Sequence, residues 1–232
     1  MRTLTAALLL VVALIGSVSP VTAQAGTETI TFVNIHIIGM EDESIIDNGV
    51  VIVTGDRIVE VGPAGDVTVP QGATVVDGGG GYLIPGLVDA HSHLLDNEDA
   101  LALHLVNGVT TIRDPNADYV GTGTVILGWR DEIAAGQRLG PAIIAAKSLG
   151  ALPPQFAGVF GNIDTVTAPW LTIDPAALEL AADADSARNL VMAAHEQGYD
   201  DIKVNWFLTA ETFDAIVAAS ADIDMPILAH VP

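Results

Sequence analysis

From Tyr82 onward, apolar β-type segments alternate with helix-type segments, and this alternation restricts the fold more than any other feature of the chain. Helix candidates separate five strand candidates, which are YLIPGLVDA, GVTTIRD, PAIIAAK, DDIKVNW and MPILAH. Repeated strand–helix–strand units with right-handed crossovers give a parallel sheet covered by helices. A complete (β/α)8 barrel takes about 250 residues, whereas residues 81–232 provide five β/α units. We therefore predict an α/β chain with a partial (β/α)8 (TIM-type) barrel.

The segment before the alternation, residues 26–80, is β-rich. Its three stretches of β-branched residues lie between Gly, Asp and Pro breaks, and are TITFVNIHIIG, GVVIVTGDRIVEVGP and ATVVDGG. Three short strands make a weak independent domain, so we predict the N-terminal part of a small β-sandwich. The glycine run in DGGGGYLIPG opens a strand rather than a helix, which argues against a dinucleotide-binding loop.

Residues 1–25 are typical of a secretory signal peptide. Arg2 precedes an apolar segment, residues 4–16, and the small residues that follow allow cleavage after Ala23 or Ala25. The apolar segment is shorter than the roughly 20 residues of a membrane span. We therefore expect a periplasmic or secreted protein without a stable membrane span, with an uncleaved anchor as the alternative.

The composition excludes several kinds of partner and chemistry. The formal net charge is −21 and the sequence pI is about 4.1, which argues against a nucleic-acid partner. The chain has no cysteine, so disulfides, thiolate metal sites and a cysteine nucleophile are excluded. Any metal ion must be bound by His, Asp, Glu or a modified side chain.

The first strand of the alternation ends in His-Ser-His. Side chains two apart on an extended chain point the same way, so His91 and His93 are directed at one point in space. Two neutral imidazoles placed in this way could bind a divalent metal ion. The alternative is a polar pair where a strand meets its loop.

Three further polar residues belong to the ends of later strands. Asp114 ends the second strand, Lys203 lies in the fourth, and His230 ends the fifth. In barrels of this type the chemistry lies at the carboxyl ends of the strands. An ammonium ion repels metal ions, but burial would lower the pKa of Lys203, and the neutral amine could then become a carbamate. The alternative is a packed lysine whose charge pairs with Asp200 or Asp201.

The remaining histidines are predicted to lie outside this site. His104 falls within the first helix and His195 within the helix before the fourth strand, both away from the strand ends. His36 belongs to the β-rich segment and is interpreted as a surface or packing residue.

The segments IPGLVDAHSHL and NGVTTIRD, together with the small β region, closely resemble the metal-dependent amidohydrolase superfamily. DDIKVNW and PILAHV resemble its branch of imidazolonepropionase-like and Xaa-Pro dipeptidase (prolidase)-like enzymes. The resemblance covers nearly everything after residue 25. It implies two divalent ions, expected to be zinc. His91 and His93 would bind the more buried ion, an N6-carboxylated Lys203 would bridge both, and His230 would bind the second.

The resemblance also implies a reaction. The expected substrate is a small molecule, either a cyclic amide cleaved at a carbon–nitrogen bond other than a peptide bond or a dipeptide-like amide. A metal-activated hydroxide would attack it, and Asp114 is a candidate substrate contact. Family members carry a sixth-strand histidine and an eighth-strand general-base aspartate, which would lie beyond Pro232. No catalytic residue is therefore assigned, and we expect this chain alone to be inactive.

Other functions remain open from the sequence. The chain could be a truncated, non-catalytic relative that binds a metal, a ligand or a protein partner without turnover. The unpaired edge of its fifth strand would then need a partner to cover it. Assembly into a homo-oligomer is also compatible with the sequence. A glycosidase or phosphatase on this barrel would need paired carboxylates or a phosphate loop at the strand ends, and neither is present there.

Overall fold

The computed structural model describes residues 28–118, 123–150, 181, 183–204 and 208–230. The chain divides into two compact units, of which the first ends at Ile84 and the second begins at Pro85. The sequence placed the boundary at residue 80, because it assigned YLIPGLVDA to a single strand. Tyr82 and Leu83 instead complete the last strand of the first unit. The predicted signal peptide lies outside the described residues.

The first unit contains a four-stranded sheet. Its strands are β1 (Thr29–Ile37), β2 (Ile46–Thr54), β3 (Arg57–Pro63) and β4 (Thr74–Leu83). The order is β3-β2-β1-β4, with antiparallel pairing of β1 to β2 and β2 to β3, and parallel pairing of β1 to β4. Alternate residues of β2 face opposite sides: Val51 joins one small core, whereas Val50 and Ile52 join another.

The glycine run lies inside β4 rather than opening the strand that follows it. Gly79 and Gly80 have φ angles of +62° and +77°, a conformation that glycine adopts without steric cost. The register of β4 against β1 shifts between Val33 and Ile35, as it does at a β-bulge. The glycine run therefore allows β4 to pair irregularly with β1.

The second unit contains a five-stranded, all-parallel sheet in the order β5-β6-β7-β8-β9. Its strands are β5 (Leu87–Asp89), β6 (Val109–Asp114), β7 (Ala142–Leu149), β8 (Asp201–Val204) and β9 (Ile227–Ala229). The helices are α1 (Asp99–Val106), α2 (Gly123–Ala134), α3 (Ala184–Glu196) and α4 (Ala210–Asp222). This arrangement confirms the predicted α/β fold with a partial barrel.

Local sequence explains where the last two described helices begin. Asp183 accepts a hydrogen bond from the Ser186 backbone N–H, and the Ser186 hydroxyl side chain bonds back to the Asp183 backbone, which forms a capping box. Before α4, the Thr209 hydroxyl accepts from the Thr212 backbone N–H. Each cap satisfies an N–H group that the first helical turn leaves unpaired.

The core of the second unit lies between the sheet and its helices. It includes fully buried aliphatic side chains from both layers, among them Leu101, Ile112, Ile126, Val191, Ile202 and Ile216. Ile202 and Val204 of β8 both face this core. Because strand side chains alternate, Asp201 and Lys203 face the other side of the sheet. The fold thereby separates the apolar core from a polar face.

Within the described residues, none of the helices combines the length and apolar character that crossing a membrane requires.

We expect Ile216→Ala to destabilise the second unit by about 2–5 kcal/mol, since it leaves a cavity in a close-packed core. Ile216 is 0% exposed, whereas its neighbour Val217 in α4 is 40% exposed. Val217→Ala is therefore the matched control and should cost much less. Urea unfolding followed by circular dichroism measures both. Equal losses in the two variants would contradict the placement of the core.

Candidate metal centre

The four predicted ligands lie at the carboxyl end of the parallel sheet. His91 and His93 follow β5, Lys203 is in β8, and His230 comes directly after β9. Lys203 is paired with Leu228 in the ladder, and the His230 backbone N–H donates to the Val204 carbonyl oxygen at 3.2 Å. Parallel pairing thus brings side chains far apart in sequence to one edge of the sheet.

The imidazoles and the lysine influence one another electrostatically. The ring centroids of His91 and His93 are 5.1 Å apart, with 73° between the ring planes. Burial lowers the pKa of His93, and the positive charges of His91 and Lys203 lower it further. Burial likewise lowers the pKa of His230, followed by the charges of Lys203 and His91. All these effects favour the neutral imidazole, which is the form that binds metal ions.

Lys203 is buried, with 4% of its surface exposed, and burial lowers its pKa. The two carboxylates predicted as alternative partners are engaged elsewhere. Asp200 accepts from Arg130 at 3.2 Å, and Asp201 forms an ion pair with Arg113 at 2.9 Å. In the part of the chain that the structure describes, Lys203 forms no ion pair. A buried amine in this position has reason to be neutral.

The backbone of the His-Ser-His segment is held by three hydrogen bonds. The His91 N–H donates to Asp89 Oδ1 at 3.1 Å, and the Ser92 N–H donates to the Arg113 carbonyl oxygen at 2.9 Å. The Leu94 N–H donates to Asp114 Oδ2 at 3.1 Å. The first bond is local, whereas the other two reach the neighbouring strand β6, so this strand fixes the path of the segment.

Asp114 is 1% exposed and lies beside His93. Its Oδ1 accepts from the Asn116 N–H at 3.0 Å and is 3.9 Å from His93 Nδ1, while its Oδ2 accepts from the Leu94 N–H. Burial raises the pKa of Asp114 to about 6, although both backbone hydrogen bonds act in the opposite direction. The proposed contact of Asp114 with substrate stays a prediction, since the structure shows its oxygens bound to backbone groups.

His104 lies closer to the site than the sequence indicated. Its Nε2 is 3.2 Å from the Ser92 hydroxyl and 3.5 Å from Asp89 Oδ2. The prediction that placed His104 away from the strand ends is therefore wrong. A single polar ring in the apolar segment LALHLV was the available signal, but the contact depends on how α1 packs beside the loop after β5.

The other two excluded histidines lie outside the group. His195 is exposed in the last turn of α3. His36 belongs to the first unit, where its Nδ1 is 2.8 Å from Asp47 Oδ1 and its ring is 5.1 Å from that of Tyr82. The interpretation of His36 as a surface or packing residue is confirmed.

Among the described residues, no group of three or more His, Asp or Glu side chains is arranged as a closed metal site. The residues gathered at the sheet edge are imidazoles and one amine, and the amine can become an oxygen ligand only as a carbamate. Imidazole nitrogen and carboxylate-type oxygen are ligands that zinc accepts. The donor chemistry of His91, His93, Lys203 and His230 therefore fits a divalent ion of this kind.

Comparison with curated proteins finds partial matches, and no family model matches the chain. The imidazolonepropionase of Stenotrophomonas maltophilia (strain R551-3) is 41% identical over 64 residues, covering 27% of this chain and 16% of that protein. Adenine deaminase 2 of Bradyrhizobium sp. (strain ORS 278) is 34% identical over 82 residues, covering 33% of this chain and 14% of that protein.

Solved structures match over more of the chain. A protein from Bifidobacterium longum named as a prolidase superposes with a TM-score of 0.69 at 25% identity, covering 88% of this chain and 50% of that one. Phenylurea hydrolase B gives a TM-score of 0.68 at 25% identity, with coverages of 88% and 55%. A Xaa-Pro dipeptidase with bound methionine gives 0.68 at 17% identity, which shows the fold alone.

The chain is a relative of the amidohydrolases, in their imidazolonepropionase- and prolidase-like branch. It spans about half the length of the solved amidohydrolases that it matches. Metal dependence is general among amidohydrolases, which agrees with the donor chemistry at the edge of the sheet. The family predicted from the sequence motifs is confirmed.

In the absence of metal, we expect Asp114 to make the free energy of unfolding depend on pH. Because its folded pKa is raised from 3.8 to about 6, its contribution is complete below the unfolded value and is lost as pH rises through 6. The corresponding fall in the free energy of unfolding is roughly 3 kcal/mol. Asp114→Asn should remove this fall.

Urea unfolding between pH 3.5 and pH 7 measures the difference between the two proteins. Asp214→Asn is the matched control, since Asp214 is exposed in α4 of the same unit. A wild-type profile with the same slope as that of Asp114→Asn would contradict the prediction.

Proposed function

We propose that the carboxyl end of the five-stranded sheet is part of the metal centre of a hydrolase that cleaves carbon–nitrogen bonds. The observation that carries this proposal is the convergence of His91, His93, Lys203 and His230 at one sheet edge, with Lys203 buried and its neighbouring carboxylates bound to arginines. The relatives support the reaction class, since they include an imidazolonepropionase, an adenine deaminase and a phenylurea hydrolase. The proposed substrate is a cyclic amide or a dipeptide-like amide.

The residues divide into two sets around the proposed ions. His91 and His93 would hold one ion, His230 would hold the other, and a carboxylated Lys203 would contact both. When bound, two zinc ions supply Lewis acidity toward the scissile carbonyl and lower the pKa of water. The imidazoles contribute because burial lowers the pKa of His93 and His230 and so favours the neutral, metal-binding form.

Carboxylation of Lys203 follows from its surroundings. Burial lowers the pKa of the amine and so increases the fraction that is neutral and nucleophilic. The nitrogen lone pair forms a bond to the carbon of carbon dioxide, and the nitrogen loses a proton to solvent. The product is an anionic carbamate with two oxygens. Lys203 would thereby change from a cation that repels metal ions into an anion that binds them.

The carbamate is tested by carbon-13 NMR of the zinc-loaded chain in labelled bicarbonate. We expect one carbamate resonance in the wild type, because Lys203 is one of only two lysines. Lys203→Arg should abolish the resonance and reduce the bound zinc, since a guanidinium cannot form a carbamate. Lys147→Arg is the matched control, because it makes the same change at the other lysine, which pairs with Asp118 at 3.1 Å. It should leave the carbamate resonance and the amount of bound zinc unchanged.

A resonance that survives in Lys203→Arg, or a wild-type chain that binds no zinc, would contradict the proposed centre. Turnover is tested separately on the protein isolated from its natural source. Ring opening of cyclic amides, or amine release from Xaa-Pro dipeptides or phenylureas, would support the hydrolase. Two bound ions without any turnover would favour the non-catalytic alternative.

We also propose export to the periplasm or the exterior, on the basis of residues 1–25. In a bacterial host, the exported protein should begin at Gln24 or Gly26, as read by N-terminal sequencing. Leu10→Arg interrupts the apolar segment and should leave the protein full-length in the cytoplasm. An unprocessed wild-type chain in the membrane fraction would support the uncleaved anchor instead.

A further inference from the structure

His104 forms a polar link between helix α1 and the segment that carries the two histidine ligands. It lies in the last turn of α1 with its side chain 17% exposed. Its Nδ1 is 2.6 Å from the Ala100 carbonyl oxygen, and its Nε2 is 3.2 Å from the Ser92 hydroxyl. Asp89 Oδ2 lies 3.5 Å from the same Nε2. Both nitrogens of the ring are therefore close to polar groups.

The chemistry of the partners determines the roles of the two ring nitrogens. A carbonyl oxygen only accepts hydrogen bonds, so Nδ1 of His104 must carry the proton and donate to Ala100. In the neutral ring, Nε2 is then an acceptor, and the Ser92 hydroxyl donates to it. The bond to Ala100 lies within α1 and fixes the orientation of the ring. Nε2 is thus directed at Ser92 by the helix itself.

Ser92 lies between the two proposed ligands, so any force on Ser92 acts on both of them. Its backbone N–H is bound to the carbonyl oxygen of Arg113 in β6, while its hydroxyl is bound to His104 in α1. The segment is therefore held from the sheet on one side and from the helix on the other. Asp89 adds a third restraint, because it accepts from the His91 N–H while lying next to His104.

We propose that His104 is a positioning residue, which acts through the Ser92 hydroxyl to hold His91 and His93 in the arrangement that binds one metal ion. The inference rests on the proposed metal centre and extends it to a residue that contacts neither ion. Groups that orient metal ligands commonly contribute about 10- to 100-fold to metal affinity. Loss of the His104–Ser92 bond should therefore weaken zinc binding at this pair while leaving the fold in place.

The test compares His104→Asn and Ser92→Ala in the full 232-residue chain. His104→Asn keeps a donor that can reach the Ala100 carbonyl but removes Nε2, and Ser92→Ala removes the hydroxyl donor. His195→Asn is the matched control, because His195 also lies in the last turn of a helix and is exposed. Competition with a chromophoric chelator measures zinc affinity, and the visible spectrum of the cobalt-substituted protein reports ligand geometry.

We expect each single variant to bind zinc about tenfold more weakly and to change the cobalt spectrum. The double variant should be no weaker than either single variant, since both remove the same bond. Ser92→Thr restores a hydroxyl and should regain most of the affinity, whereas His195→Asn should match the wild type. Urea unfolding without metal checks that the variants remain folded.

The outcomes separate this inference from the function on which it rests. Wild-type affinity and an unchanged cobalt spectrum in both single variants would overturn the role of His104 and leave the metal centre intact. Additive losses in the double variant would overturn the route through Ser92. A wild-type chain that binds neither zinc nor cobalt would overturn the metal centre itself, and the positioning role with it.

Discussion

The parallel pairing of β5 to β9 is the constraint on which the rest of the second unit depends. Because all five strands run the same way, their carboxyl ends form one edge, and residues as distant in sequence as His91 and His230 arrive at the same place. The alternation of side chains along each strand then determines which face of the sheet each residue lies on. In β8, Ile202 and Val204 join the helix-side core, so Lys203 must face away from it. One apolar periodicity therefore builds the core and places the buried amine on the opposite face of the sheet.

The charges at that edge differ from those of the chain as a whole. The sequence carries a formal net charge of −21, yet three aspartates close to Lys203 or His93 already have partners. Asp114 accepts from backbone N–H groups, whereas Asp201 pairs with Arg113 and Asp200 with Arg130. Neutral imidazoles alone leave the charge of a bound dication unbalanced, and a buried charge is costly unless it is paired. A carbamate on Lys203 would supply the missing negative charge. The arginine pairs thus make the lysine, rather than a carboxylate, the residue best placed for that role.

The parallel sheet of the second unit, its helices and the placement of candidate ligands at the strand ends could be predicted from the sequence, because each depends on local periodicity and on the direction of parallel strands. The tertiary contacts of individual side chains could not be predicted in this way. Asp200 and Asp201 are close to Lys203 in sequence, which suggested pairing, but arginines about 70 and 90 residues away bind them instead. His104 was excluded by its helical position, although its distance to Ser92 depends on how α1 packs. In the first unit, β4 contains a glycine run with little intrinsic strand preference, and pairing with β1 stabilises it.

The aspartates at the strand ends share a physical task, since each accepts hydrogen bonds from backbone N–H groups. A strand that leaves its ladder has backbone N–H groups without partners, and burying them unpaired is costly. Asp89 accepts from the His91 N–H, Asp114 from the Leu94 and Asn116 N–H groups, and Asp118 from the Ser148 N–H. Ser148 is paired with Lys203 in the ladder, so the bond to Asp118 also fixes the strand beside the amine. The carboxylates therefore hold the backbone of the strand ends, and in the proposed centre the imidazoles and the amine are the metal ligands instead.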